Sequence, residues 1–335
     1  MTRGMRLLLA VLLPAIGVLG AAHPARAQVS ELRIAVQPGI LFYSMWIMKQ
    51  AGLAERQAAQ AGRPDLKVNW LTMSSGGANA DALLSGSVDV VAGGTSNLLI
   101  VWSKSKGAVK AISAVSGVPN VLITRDPNVR TLKDFTDKNR IAVPTIKMSL
   151  QAIYLQMALE QTFGEGSFKK FDPMMVQLGH AQATLAILDP RNPVDSHFSG
   201  PPFMQTALKN PAIHRVLTSV DLVGPSTSLL AYTTAKFYDA NPKMIDIFVA
   251  ALNDANQLIQ AEPRKAAQFY LDATQEKYSV DEIVTMTGEP GTVFTTVPKG
   301  TMKFAEFMHK VGTLDKKPAS WKDYFFPSIH AADGN

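Results

Sequence analysis

Hydrophobic and polar positions along this chain switch repeatedly between a period of two and a period near 3.6. Leu32-Arg33-Ile34-Ala35-Val36, Val68-Asn69-Trp70-Leu71 and Val88-Asp89-Val90-Val91-Ala92 read as short strands. Phe42 to Gly52 has helical spacing with Gly52 as its stop, and Ala78 to Leu84 makes a shorter helix ended by Gly86. Gly93-Gly94-Thr95 reads as a turn into another helix, with Ser96 as N-cap. Further on, Arg140-Ile141-Ala142-Val143 is a strand. Leu150, Ile153, Tyr154, Met157 and Ala158 then mark one buried helix face that Gly164 terminates. Met174–Leu178 and Val194–Phe198 are strands flanking a helix over His180–Leu188. The last third is helical. Asn241-Pro242 and Pro263 start helices, Ser279 with Glu282 has capping-box spacing, and a final helix covers Met302–Val311. Alternating strands and helices predict mostly parallel sheets covered by helices on both faces.

One pattern occurs twice. Leu83-Leu84-Ser85-Gly86-Ser87-Val88-Asp89 leads to Gly93-Gly94, and Ile187-Leu188 followed by Asp189 to Pro193 and Val194-Asp195 leads to Ser199-Gly200. Helix, turn, Val-Asp strand and glycine turn in both places predict either two similar lobes or two ordinary α/β units.

The first residues change the picture of where the protein works. Arg3 and Arg6 precede an uncharged apolar run from Leu7 to Gly20, and Ala25-Arg26-Ala27 fits the small-x-small cleavage rule. The run is short for a membrane span and contains Pro14. Residues 1–27 are therefore expected to be a cleaved signal peptide and the mature chain to be secreted. Removing them takes away Arg3, Arg6 and Arg26, so the formal charge falls from +6 to +3. That is too weak and dispersed for nucleic-acid binding. The absence of cysteine excludes disulfides, thiolate metal sites, a cysteine nucleophile and a lipid anchor on cysteine. The length suggests two domains.

No enzyme signature stands out. The sequence has no G-x-S-x-G elbow, no phosphate-binding loop and no H-E-x-x-H, and the spacing of His180, Asp189, Asp195 and His197 matches no established zinc pattern. No catalytic, metal or cofactor residue is assigned.

Four segments, in this order, carry a resemblance. They are Arg33-Ile34-Ala35-Val36 with the aromatic-bearing stretch Gly39 to Trp46; Ala82-Leu83-Leu84-Ser85-Gly86-Ser87-Val88-Asp89-Val90-Val91 with Gly93-Gly94-Thr95; Arg130-Thr131-Leu132-Lys133-Asp134-Phe135 with Ile141-Ala142-Val143 and Ser149; and Pro318-Ala319-Ser320-Trp321-Lys322-Asp323. The chain resembles the nitrate/sulfonate/taurine-type solute-binding proteins of ABC importers, a group that includes thiamine-precursor binders. It departs from that pattern at Asp189-Pro190-Arg191-Asn192-Pro193, where relatives often carry a glycine.

The resemblance implies an α/β, two-lobed periplasmic-binding-protein fold of the type II kind, with two crossing segments and a ligand cleft between the lobes. Lobe one would hold residues 28–115 and 228–335, and lobe two residues 116–227. It also implies a monomeric non-enzyme, with an inner-membrane ABC permease and its ATPase as partners, a small organic anion as ligand and no cofactor. A pyrimidine of the thiamine-precursor kind, a ligand-sensing role and an enzyme of pyrimidine biosynthesis are the alternatives.

Ligands of open α/β sheets bind beyond the carboxyl ends of the strands, where helix N-termini favour anions. The small and hydroxyl residues at those turns are the candidates: Ser75, Gly76 and Gly77; Gly94, Thr95 and Ser96; Ser149; Ser199 and Gly200. Phe42 and Tyr43 are candidate apolar walls, and Lys147 a candidate charge or a plain solvated lysine. His180 either faces the cleft or caps its helix. Ser116, Thr227 and Ser228 at the two crossings complete the set.

Overall fold

The structure is a computed structural model, and it describes residues 30–335. The signal-peptide reading of residues 1–27 lies outside the described residues.

Eleven strands form two sheets among these residues. They are β1 (Glu31–Val36), β2 (Lys67–Thr72), β3 (Val90–Gly94), β4 (Val109–Gly117), β5 (Val121–Thr124), β6 (Ile141–Val143), β7 (Met175–Gln177), β8 (Ser196–Ser199), β9 (His214–Thr218), β10 (Leu229–Thr234) and β11 (Val293–Phe294). The first sheet runs in the order β11-β4-β10-β3-β1-β2 and the second in the order β7-β6-β8-β5-β9. Without β11 the two orders match strand for strand. β1 and β6 each lie between two parallel partners, and β10 and β5 each lie antiparallel between two neighbours.

The reversed strand in each sheet is the one that arrives from the other sheet. β4 ends at Gly117 and β5 begins at Val121 in the second sheet; β9 ends at Thr218, and the chain returns to start β10 at Leu229. A strand entering from the cleft must run away from it, whereas the strands already present end there. The predicted mostly parallel sheets therefore contain one antiparallel strand each, and the first sheet has a second at its edge, the short β11, antiparallel to β4.

At the crossings the backbones nearly touch. A Cβ on Gly117 would lie 2.1 Å from the Ser226 carbonyl oxygen, so only glycine fits. Ser228 N donates to Ser116 O at 3.0 Å, and Val118 N donates to Ser228 Oγ at 3.4 Å.

Local readings mostly stand, with shifted boundaries. Gly52 takes a left-handed φ of 59° after the helix Tyr43–Gln50. Ser279 and Glu282 form the capping box of the helix Val280–Thr287. Two readings need correction. Gly93 and Gly94 are the last residues of β3 rather than a turn, because pairing with Leu230 and Leu229 extends the strand. Ser96 is not the N-cap of the helix Thr95–Lys104, whose cap is Gly94.

The repeated Val-Asp motif anchors both sheets at the end away from the cleft. Asp89 accepts from the Arg33 backbone N–H and guanidinium at 2.6–3.0 Å, and Asp195 accepts from Asn139 Nδ2 at 3.0 Å and Ser196 Oγ at 2.7 Å. The unusual Asp189–Pro193 turn is held by its own Asp189 and Asn192 side chains, which accept from Arg191 N and Val194 N at 3.0 Å, and from outside by Arg125. Arg125 donates to the carbonyls of Ala186, Ile187 and Val194 at 2.7–3.1 Å and to that of Asn192.

One core layer lies under the helices Tyr43–Gln50, Pro242–Ala261 and Pro263–Thr274 on one face of the first sheet. A second runs from the helix Thr95–Lys104 through the helix Leu150–Phe163 to Phe198, continuous between the sheets. No helix among the described residues is long and apolar enough to cross a membrane.

Candidate ligand site

Four helices begin at the carboxyl ends of strands that face the gap between the sheets: Gly76–Leu84, Thr95–Lys104, Leu150–Phe163 and His180–Leu188. The first backbone N–H groups of a helix lack intrahelical acceptors, and the helix dipole places partial positive charge there. Ser75 and Ser149 use their hydroxyls as caps, accepting from Ala78 N and Ala152 N at 3.3 Å. Gly94 and Gly179 cap the other two without a side chain.

These helix starts surround an inner cavity of about 50 Å³ that opens toward a mouth of about 410 Å³. Gln37, Pro38, Pro144, His180 and Phe203 line both. The inner wall is completed by Phe42, Gly76, Gly94, Asn97, Asn120, Ser149 and Gln151 among others, and the outer wall by Ser74, Ser75, Gln177, Gly179 and Gln182. Among the described residues, no Lys, Arg, Asp or Glu lines either space.

The polar wall is made of amides. Asn97 is 3% exposed, and its Nδ2 has no hydrogen-bond partner. It fits only because residues 76 and 94 are glycines: a Cβ on Gly76 would meet the Asn97 amide at 2.6 Å, and one on Gly94 at 3.0 Å. Asn120 Nδ2 donates to Val118 O at 2.9 Å and its Oδ1 accepts from Gln151 Nε2 at 2.8 Å. Gln151 Nε2 also lies 3.3 Å from His180 Nε2, and His180 Nδ1 lies 3.0 Å from His197 Nε2. Phe203 stacks on the other face of His180, with centroids 5.4 Å apart and planes 16° apart. Burial favours the neutral imidazole, holding His180 down to about 4 and His197 well below its ordinary value, the latter also through the nearby His180. No group of three or more His, Cys, Asp or Glu side chains among the described residues is placed to hold a metal.

The sheets meet directly at this site. Ile40 N donates to Pro201 O at 3.0 Å and Ser96 Oγ to Met148 O at 2.9 Å. Beyond the mouth, Tyr278 Oη donates to Pro202 O at 3.2 Å and lies against Thr206 Oγ1, while Lys209 pairs with Glu282 at 2.9 Å.

Two matching sheets, exchanged crossing strands and a cavity at their shared carboxyl ends determine the architecture. The fold is that of the periplasmic binding proteins. The chain is similar to the alkanesulfonate-binding protein SsuA of Xanthomonas axonopodis pv. citri bound to MOPS, with a TM-score of 0.70 and 17% identity over 87% of this chain and 96% of that one. It is similar to the periplasmic nitrate-binding protein NrtA of Synechocystis PCC 6803, with a TM-score of 0.65 and 17% identity over 88% and 84%. A Candida albicans gene product described as having the generic periplasmic binding protein fold gives a TM-score of 0.68 and 16% identity over 86% and 92%. No family model and no curated protein matches the sequence.

Of the sixteen residues singled out from sequence, the structure brings Phe42, Gly76, Gly94, Ser149, His180 and Gly200 to the inner cavity and Ser75 to the mouth. Gly77 lines neither space; a Cβ on it would lie 3.7 Å from the Thr145 side chain. The others are placed elsewhere. Tyr43 is in the core against Tyr270 and Phe294, because it follows a short 3-10 turn that rotates it inward. Lys147 is exposed, outside both spaces. Ser96 is spent on Met148 O, and Ser199 Oγ lies 3.5 Å from Gly200 O.

Ser116, Thr95, Thr227 and Ser228 fasten the crossings. Ser116 Oγ donates to Leu41 O at 2.5 Å, Thr95 Oγ1 donates to Thr227 O at 3.1 Å, and Thr227 Oγ1 and Ser228 Oγ accept from Lys299 N and Val118 N. Sequence reasoning missed Gln37, Asn97, Asn120, Gln151 and Phe203. Asn97 and Gln151 had a usable signal, since each stands within three residues of a small or hydroxyl cap already singled out.

Proposed function

We propose that this protein is the periplasmic substrate-binding component of an ABC importer, a binder rather than an enzyme, and that it captures a small organic anion between two lobes. The observation that carries this reading is the convergence of four helix N-termini on a cavity without a charged side chain. Helix-terminal N–H groups can hold an anionic head group without a paired cation. The head group would enter the inner cavity and an apolar body would lie in the mouth against Phe203 and His180.

Residues 28–115 and 228–335 would form lobe one and 116–227 lobe two. Closure would bend the two crossings, with the closed form docking on a membrane permease. Export through cleavage after Ala27 completes this reading.

The test is a thermal-shift and calorimetric screen of the protein without residues 1–27 against sulfonates, carboxylates, nitrate and pyrimidines. A ligand that binds only the folded state at a hundred times its Kd stabilises it by about 2.7 kcal/mol. A concentration-dependent rise with one anion class supports the reading, and no rise with any anion overturns it. A second reading, an uncharged pyrimidine, is favoured by the amide-lined wall and the His180–Phe203 stack. A rise with pyrimidines alone would select it.

A further inference from the structure

The contact between half-buried His180 and buried His197 is not used by the reading above, and its hydrogen bonds have a direction. The direction starts at a fixed acceptor, the Val118 carbonyl in the first crossing. Only the Asn120 amide nitrogen can donate to that oxygen, so Asn120 must turn Oδ1 toward Gln151, 2.8 Å away. Gln151 must then present its NH2 group rather than its oxygen. One hydrogen goes to Asn120 and the other faces His180 Nε2 at 3.3 Å. His180 Nε2 is therefore the bare nitrogen, and the proton sits on Nδ1, which donates to His197 Nε2 at 3.0 Å. His197 in turn carries its proton on Nδ1. That nitrogen is fully buried and has no partner, so the chain of donors ends there. Reversing any link places two donors or two acceptors face to face.

Gln151 Oε1 accepts no hydrogen bond from the protein and is not among the buried unpartnered atoms, and Gln151 lines the cavity wall. Asn97, whose buried Nδ2 has no partner, lines the same cavity. We propose that the His180–His197 pair positions the Gln151 amide so that the cavity presents its carbonyl oxygen as an acceptor, which selects ligands bearing an O–H or N–H donor near the group held by the helix N-termini. On the anion reading, on which this rests, the preferred class is hydroxy- or amino-substituted small acids over their unsubstituted counterparts. Gln151 would touch the ligand, and His197 is a positioning residue that acts through His180.

The first measurement needs no ligand. Long-range 1H–15N spectra of the imidazoles, assigned with His180→Phe and His197→Phe, should show both residues as neutral Nδ1–H tautomers at neutral pH. Either residue in the Nε2–H form overturns the relay. The second measurement compares matched pairs by calorimetry: 2-hydroxyethanesulfonate with ethanesulfonate, lactate with propionate, and 4-aminopyrimidine with pyrimidine. One well-placed hydrogen bond predicts roughly tenfold tighter binding for the donor-bearing member of at least one pair. His197→Gln, whose Oε1 can accept from His180 Nδ1, should keep that preference, and His197→Phe should abolish it. Equal affinities within every pair that binds overturn the donor selection and leave the anion reading standing. No binding by any sulfonate or carboxylate overturns the anion reading. A preference confined to the pyrimidine pair keeps the donor selection, and no binding by any probe overturns both.

Discussion

Glycines 76 and 94 leave the space that the Asn97 amide occupies at the cavity wall. Gly76→Ala puts a methyl group 2.6 Å from a side chain that is itself packed. Overpacking of this kind costs about 1–3 kcal/mol. The expected outcome is a modest fall in melting temperature with a loss of ligand affinity of tenfold or more, measured by denaturation and calorimetry. A variant that binds normally would remove Asn97 from the site. The paired histidines, His180 half-buried and His197 buried, make a separate prediction. Their folded pKa values lie below the unfolded value, to about 4 for His180. The unfolded chain therefore binds more protons between about pH 6.5 and pH 4. Stability is fully present above that window and falls as the pH drops through it, with a slope approaching about 1.4 kcal/mol per pH unit for each histidine. Urea unfolding across that range checks the sign. A His197→Phe variant should show a shallower slope.

At the scale of elements, strand pairing explains why some sequence patterns were readable. The Val-Asp repeat marks equivalent strands, β3 and β8, each ending at the cavity and each preceded by an anchoring aspartate. Alternation and Gly stops were enough to place β1, β2, β6 and most helices. They were not enough for Gly93 and Gly94, because pairing with β10, more than a hundred residues away, extends β3 through them. The Asp189–Pro193 turn depends on Arg125 in the same way, a residue whose sequence neighbourhood gives no hint of it. Arg125→Met leaves four carbonyl groups without that donor. It is expected to cost about 2–4 kcal/mol in urea denaturation, since hydrogen bonds from charged groups are the stronger kind. The end of the His180–Leu188 helix would loosen with it, and a ligand touching His180 should bind more weakly. Unchanged stability would show that the turn holds itself.

For the whole molecule, the contacts across the cleft describe a closed arrangement. Backbone bonding between Ile40 and Pro201 flanks the cavity, and Tyr278, Thr206, Lys209 and Glu282 join the lobes outside it. The Lys209–Glu282 pair is exposed and adds little. Tyr278 Oη, partly buried, is the stronger tie. Tyr278→Phe is expected to shift the ligand-free population toward an open form, seen as a larger radius of gyration in small-angle scattering. Ligand should restore the compact form if, as proposed, it contacts both lobes. Identical profiles for both proteins with and without ligand would argue against hinge closure.

The sequence by itself determined the α/β alternation, most helix starts and the small residues at the strand ends, and left the Val-Asp repeat open between two lobes and two ordinary units. Those are set by neighbours a few residues apart, through period, capping and backbone freedom. It also gave the broad architecture through the order of four segments. Tertiary structure alone decided which polar groups face the cavity. Tyr43, Ser96 and Ser116 looked like ligand contacts, yet long-range partners claim them: Tyr270 and Phe294, Met148 O, and Leu41 O. Asn97, Asn120, Gln151 and Phe203 looked like ordinary helix and loop residues, and the meeting of two sheets made them the wall. A hydrogen-bonding group is free for a ligand only when no other part of the chain has already satisfied it, and that is settled by contacts across the fold.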